Sequence, residues 1–310
     1  MQDSFKIRKG VNLGGWMSQC DYSEERLNTF IQEEDIRRIA SWGLDHVRLP
    51  IDYNVLDRAD GYDRIDRAIG WCRENGLKVV LDLHKTRGYS FDQGEAEGGF
   101  FDSEEYQEAF YAYWLKMADR WGSLHEDVAF ELLNEVTDAS FMPAWNRIAG
   151  ECIRRIRTVA PLTWILVGGY DNNSPHAVPA IDVPEDDRLI LNFHCYLPLP
   201  FTHQGAYWVP FLDRDKRVSF EESGACEAYF EGVFEPALQA TWFKPKPLYC
   251  GEYGMIDLAS PEDTVRWFRA IHAVLERHSI ARAAWTYKGM DFGLTDPRLD
   301  GVRDELIKLL

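Results

Sequence analysis

Short apolar runs alternate with longer amphipathic stretches along the whole chain. The apolar runs fall at residues 7–13, 46–51, 78–84, 128–134, 163–169, 189–196, 247–252 and 282–287. Most lack strict polar–apolar alternation, as in Lys78-Val79-Val80-Leu81-Asp82-Leu83. A strand covered on both faces reads this way, because neither face has to meet water. The stretches between carry apolar residues every third or fourth position. Residues 24–42 place Phe30, Ile31, Ile36 and Ile39 at helical spacing, and 103–121 opens on Ser103-Glu104-Glu105, a helix-start signal. Residues 138–159, 220–242 and 261–278 repeat the pattern. The last follows Ser260-Pro261-Glu262-Asp263, with proline at the first helical position. Residues 171–184 hold three prolines and predict only a short helix.

Eight strands alternating with helices predict an α/β protein, a single (β/α)8 TIM barrel spanning residues 1–310 as one domain. An open doubly wound sheet needs a Gly-rich phosphate turn after its first strand. Asn12-Leu13-Gly14-Gly15-Trp16 lacks that spacing. No repeat, low-complexity tract or linker divides the 310 residues. The longest irregular stretches, 87–101 and 197–220, both follow strands. In a barrel they therefore lie on the face where active sites gather.

Charge narrows the partners. The net charge is −17, a field that repels phosphate backbones, so nucleic acid is not an expected partner. Six cysteines form no CxxC pair and no zinc-like spacing, and no metal or cofactor is expected. The acidic stretch 92–97 lacks the ordered ligand spacing of a calcium loop and is read as solvated. Met1-Gln2-Asp3-Ser4-Phe5-Lys6 is not a hydrophobic leader. No apolar run approaches the roughly 20 residues of a membrane span. A cytoplasmic enzyme is the expectation, or a secreted one if a leader has been removed. Oligomeric state leaves no mark in the sequence. Aromatic residues make up 14%, with 11 Trp, and aromatic planes suit the C–H faces of sugar rings.

The strand ends carry the chemistry. In order they offer Asn12 and Trp16, Arg48, His84, Asn134 and Glu135, His194 and Tyr196, Glu252, and Trp285. The fifth end, Gly168-Gly169-Tyr170, offers little. Glu135 and Glu252 stand where apolar runs stop, badly placed for a core and well placed for a site. Paired carboxyl groups are the usual equipment for cleaving a glycosidic bond: one supplies a proton, the other stays ionised to attack or stabilise. Arg48 could hold the ionised partner, since a fixed positive charge lowers a carboxylate pKa. Asn134 could donate to a sugar hydroxyl and Tyr196 to a carboxylate. His84 and His194 could bind hydroxyls, and Trp285 could floor the ring being cleaved. Asp82, two residues before His84, could orient a neighbour from within the barrel. The competing roles are a structural ion pair for Glu135, Glu252 and Arg48, a satisfied core position for His84 and His194, and barrel-mouth packing for Tyr196 and Trp285. For Trp16, and for Trp208 beside His203 and Tyr207, packing and sugar contact are evenly balanced.

The series Gly10-Val11-Asn12-Leu13-Gly14-Gly15-Trp16, His46-Val47-Arg48-Leu49-Pro50, Asp82-Leu83-His84, Leu133-Asn134-Glu135, His194-Cys195-Tyr196, Gly251-Glu252-Tyr253-Gly254 and Ala284-Trp285-Thr286-Tyr287 resembles the ordered motifs of glycoside hydrolase family 5. That is a family of cellulases, mannanases and exo-acting β-glycosidases. The resemblance runs from about Lys9 to about Leu294. It implies a (β/α)8 barrel and a retaining double displacement without metal or cofactor. It assigns Glu135 as acid/base and Glu252 as nucleophile, with carboxyl groups about 5–5.5 Å apart. It places Arg48, His84, Asn134, His194, Tyr196 and Trp285 around the cleavage subsite. The expected substrates are short β-linked gluco- or manno-oligosaccharides. Two alternatives share these residues: a transglycosylase, and a carbohydrate-binding barrel without catalysis.

Overall fold

A computed structural model describes residues 5–92 and 94–310. Eight parallel strands close into a barrel in chain order. They are β1 (Lys9–Asn12), β2 (His46–Asp52), β3 (Lys78–Lys85), β4 (Val128–Glu131), β5 (Ile165–Val167), β6 (Leu189–His194), β7 (Leu248–Glu252) and β8 (Ala281–Ala284). Closure comes from β1 pairing with both neighbours: Val11 lies opposite Ala284 on β8 and opposite Val47 on β2. The single (β/α)8 barrel expected from the sequence is the fold observed. Among the described residues no helix is long and apolar enough to cross a membrane.

The helices form where the apolar spacing places them, with ends set by local chemistry. Ser103 caps Glu104–Trp121 by accepting from the Tyr106 N–H, and Ser260 caps Pro261–Arg277 by accepting from the Asp263 N–H. Two expected helices are divided. Residues 24–42 become Glu24–Thr29 and Glu33–Ser41, because Gln32 and Asp35 build a new capping box in mid-stretch. Residues 220–242 become Phe220–Ser223 and Glu227–Phe243, interrupted at Gly224 with φ +71°. The link between β2 and β3 contains the helix Gly61–Glu74, which the sequence reading did not single out. Proline-rich 171–184 holds the end of the four-residue turn Tyr170–Asn173 and the 3-10 segment Pro175–Ala180, so only short helical pieces form, as expected.

The strands alternate after all, in a way composition conceals. Val47, Leu49, Ile51, Val79, Leu81, Leu83, Leu189, Leu191 and Phe193 belong to the apolar layer between sheet and helices. The intervening positions face the barrel axis. Near the bottom these are apolar: Val80, Ala129, Leu166, Ile190, Tyr249 and Ala283 pack with Phe5 and Ile7. Two residues further along the same strands they are polar: Asp82 after Val80, Glu131 after Ala129, Asn192 after Ile190. A charged layer thus sits inside the barrel directly above an apolar plug.

Candidate active site

Arg48 organises that layer. It is fully buried. Its Nε and Nη2 donate to the two oxygens of Glu131, each at 2.7 Å. Nη2 also donates to Asn134 Oδ1 (2.8 Å), and Nη1 donates to Asn12 Oδ1 (2.9 Å) and Glu252 Oε1 (2.6 Å). The planar fork of a guanidinium suits this arrangement, because its donors diverge in fixed directions. Asn192 adds a donor to Glu131 Oε1 at 2.8 Å.

Glu252 ends β7. Its second oxygen accepts from the Tyr196 hydroxyl at 2.8 Å. Gly251 before it is needed for close approach: a Cβ there would lie 2.7 Å from Asn192 Oδ1 and 3.0 Å from His194 Nε2. Glu135 lies beyond the end of β4. Its Oε2 accepts from Asn172 Nδ2 at 2.7 Å, and its Oε1 is 2.8 Å from His194 Nδ1. The Tyr89 hydroxyl donates to the Glu135 carbonyl at 2.7 Å and fixes the backbone there. Glu135, His194 and Glu252 each present one atom within 4.8 Å of the others. With oxygens that close, the two carboxyl groups stand nearer the retaining separation of about 5–5.5 Å than the inverting range of about 6.5–9.5 Å. It could also suit a cation. Arg48 and Tyr196 already occupy the oxygens of Glu252, however, which fits acid–base work better than ligation.

The two glutamates differ in surroundings. Burial pushes Glu135 up to about 7, against the downward pull of the Asn172 hydrogen bond and of His84 and Arg48. No guanidinium touches it. Glu252 has one at 2.6 Å. Burial lowers His194 to about 3 and His84 to about 4, so both imidazoles are neutral near pH 7. His84 stacks on Trp285, with centroids 5.7 Å apart and planes within 4°.

Most expected residues converge here: Glu135, Glu252, Arg48, His84, Asn134, His194, Tyr196 and Trp285. Three expectations change. Arg48 is sealed from solvent with its donors taken, so it acts through the carboxyl groups and not on sugar. Trp16 does not reach the cleft: it is 2% exposed, stacks on Trp71 and donates its indole N–H to the Leu27 carbonyl. The fifth strand end is not empty. Asp171, Asn172 and Asn173 follow β5 with φ between +51° and +61°, and Asn172 holds Glu135. A run of Asp and Asn, which tolerate the left-handed region, was the available signal. Glu131 and Asn192 also escaped notice, being hidden inside apolar strands. Trp208 stays on the catalytic face, 42% exposed, linked to Tyr196 through His203 by ring contacts of 6.3 and 5.1 Å.

Comparisons with known proteins agree with this geometry. Residues 8–291 match the family described as cellulase (glycosyl hydrolase family 5). The chain is 53% identical over 288 residues to cellodextrinase A of Ruminococcus flavefaciens, covering 91% of this chain and 86% of the relative. It is 34% identical over 345 residues to endoglucanase C of Acetivibrio thermocellus, covering 99% and 98%. Among solved structures, endoglucanase Cel5A from Thermotoga maritima superposes with a TM-score of 0.83 at 25% identity, covering 98% of this chain and 96% of that one. The chain belongs to glycosyl hydrolase family 5 and is a retaining O-glycosyl hydrolase.

Proposed function

We propose that this enzyme hydrolyses short β-linked gluco-oligosaccharides of the cellodextrin type, with Glu252 as nucleophile and Glu135 as acid/base. The observation that carries the assignment is the asymmetry of the pair: Glu135 is pushed up to about 7 by burial, while Glu252 receives Arg48 at 2.6 Å and Tyr196 at 2.8 Å. A glycosidase needs one carboxyl group of each kind. In the first step a Glu252 oxygen attacks the anomeric carbon as the glycosidic C–O bond breaks. Glu135 gives its proton to the leaving oxygen. In the second step Glu135 takes a proton from water, which attacks the glycosyl ester and frees Glu252. Asn134 Nδ2, buried and without a partner among the described residues, is placed to donate to a sugar hydroxyl. His84, His194 and Trp285 line the glycone side, and Trp208 extends the wall outward.

The gluco preference rests on the cellodextrinase and endoglucanase relatives. Product analysis with cello-, manno- and laminari-oligosaccharides tests it. Cello-oligosaccharides should be consumed fastest, with release of shorter cello-oligomers. Preferential cleavage of manno-oligosaccharides would reject the sugar assignment. Products longer than the substrate would indicate glycosyl transfer in place of hydrolysis.

A further inference from the structure

The layer around Arg48 holds more carboxyl groups than the reaction uses, and hydrogen-bond accounting separates them. A guanidinium has five N–H donors. Those of Arg48 go to Glu131 (two), Asn134, Asn12 and Glu252. Asp82 Oδ2 lies 3.0 Å from Nη2, yet both Nη2 hydrogens already have acceptors. Asp82 Oδ1 is buried with no partner among the described residues. The directional contact left to Asp82 is His84 Nδ1, at 2.6 Å from Oδ2. Glu131 differs: three donors converge on it, as an anion requires.

The partner on the far side of His84 fits one direction of that contact. Its Nε2 lies 3.2 Å from Gln19 Oε1, which can only accept. A neutral imidazole that donates from Nε2 is bare at Nδ1 and needs a donor there. Asp82 supplies one only if it is protonated.

We propose that Asp82 is a positioning residue that carries a proton on Oδ2, donates it to His84 Nδ1 and so fixes His84 as the neutral Nε2–H tautomer. Gln19 holds that N–H in the free enzyme, and a hydroxyl of the glycone sugar accepts it in the complex. This last step rests on the glycosidase reading above. The charges facing the pair point the same way. Arg48 and Asp52 approach from β2, Glu131 and Glu135 from β4 and the segment after it, His194 from β6 and Glu252 from β7, while Lys85 on β3 faces Asp52 and Glu95. With Glu131 and Glu252 ionised around one guanidinium, a third buried anion would have neither a free donor nor solvent to stabilise it. Burial raises Asp82 and Glu131 alike to about 7, despite Arg48, and lowers His84 to about 4; the three donors on Glu131, and none left for Asp82, place the proton on Asp82.

The test is the 15N spectrum of the histidine-labelled protein at mildly acidic pH, with His84 identified by the signals missing from His84→Gln. The expected result is a pyrrole-type Nε2 and a pyridine-type Nδ1. Asp82→Ala, which removes the donor, should raise KM about tenfold for cello-oligosaccharides. Asp82→Asn still offers an N–H; it should recover most of that loss and leave the His84 nitrogens as they were. A pyrrole-type Nδ1 in the native protein overturns the proposal. So does an Asp82→Asn variant whose two nitrogens exchange character while kcat/KM falls on the order of 10²-fold, the behaviour of an ionised orienting carboxylate. The native spectrum decides the point even where a variant fails to fold. Native protein with the expected spectrum but no hydrolysis of any glycoside would reject the functional reading and leave the proton assignment standing.

Discussion

At the scale of single residues, the proposed chemistry rests on the contrast between Glu135 and Glu252. A general acid must enter the first step protonated, so activity should fall as pH rises through about 7, where Glu135 loses its proton. Asn172 pulls that value down by stabilising the carboxylate. Asn172→Ala should therefore move the alkaline limb of kcat/KM to higher pH and reduce kcat about tenfold through lost orientation. An unmoved limb would show that Asn172 does not act on the acid. The same proton links to stability. Glu135 binds it more tightly folded than unfolded, where the value is about 4.3. Its contribution is complete below the unfolded value and is lost as pH climbs toward about 7. The sequence made both glutamates legible because each ends an apolar run. It hid Glu131 because a charged residue within a strand resembles the solvent-facing position of a half-exposed one. It hid Asn172 because that residue lies beyond a strand end rich in glycine.

At the scale of elements, the site depends on how strands finish. Glu252 can come within reach of Tyr196 and Arg48 because Gly251 leaves room for Asn192 and His194 beside it. Gly251→Ala should cost about 1–3 kcal/mol in denaturant unfolding, with a larger loss of kcat than of stability would explain. Tyr89, from the stretch after β3, ties that segment to the backbone at Glu135 and Thr137. The barrel order, the strand positions and most helix starts could be read from periodicity. The divisions at Gln32 and Gly224 could not, because a capping box or one left-handed glycine overrides an apolar spacing that continues past it. The acidic stretch expected to be solvated is partly anchored: Glu95 pairs with Lys85 at 2.8 Å, and Glu97 accepts from the Tyr53 hydroxyl at 2.6 Å. The first closes the stretch onto the end of its own strand and the second joins it to the segment after β2; neither leaves a local trace in sequence.

At the scale of the whole molecule, the barrel encloses a charged layer on an apolar plug, and its stability and reactivity are coupled through Arg48. Arg48→Met should destabilise the fold by about 3–5 kcal/mol, since it leaves Glu131 buried without its fork. Equilibrium unfolding in urea checks this. A change below about 1 kcal/mol would mean that Glu131 takes up a proton at little cost. The family and fold were readable from the order of motifs around the barrel. The sugar preference was not, because loop contacts are not described by periodicity.

Trapping the covalent intermediate tests the central claim most directly. A 2-deoxy-2-fluoro β-cellobioside with a good leaving group should glycosylate the enzyme faster than water can free it, because the fluorine disfavours charge at the anomeric carbon in both steps. Mass spectrometry of the digested protein should find the fluorosugar on Glu252, and Glu252→Gln should lose labelling together with turnover, on the order of 10⁴-fold or more. A label on Glu135, or Glu252→Gln that still hydrolyses aryl glycosides at the native rate, would contradict the account.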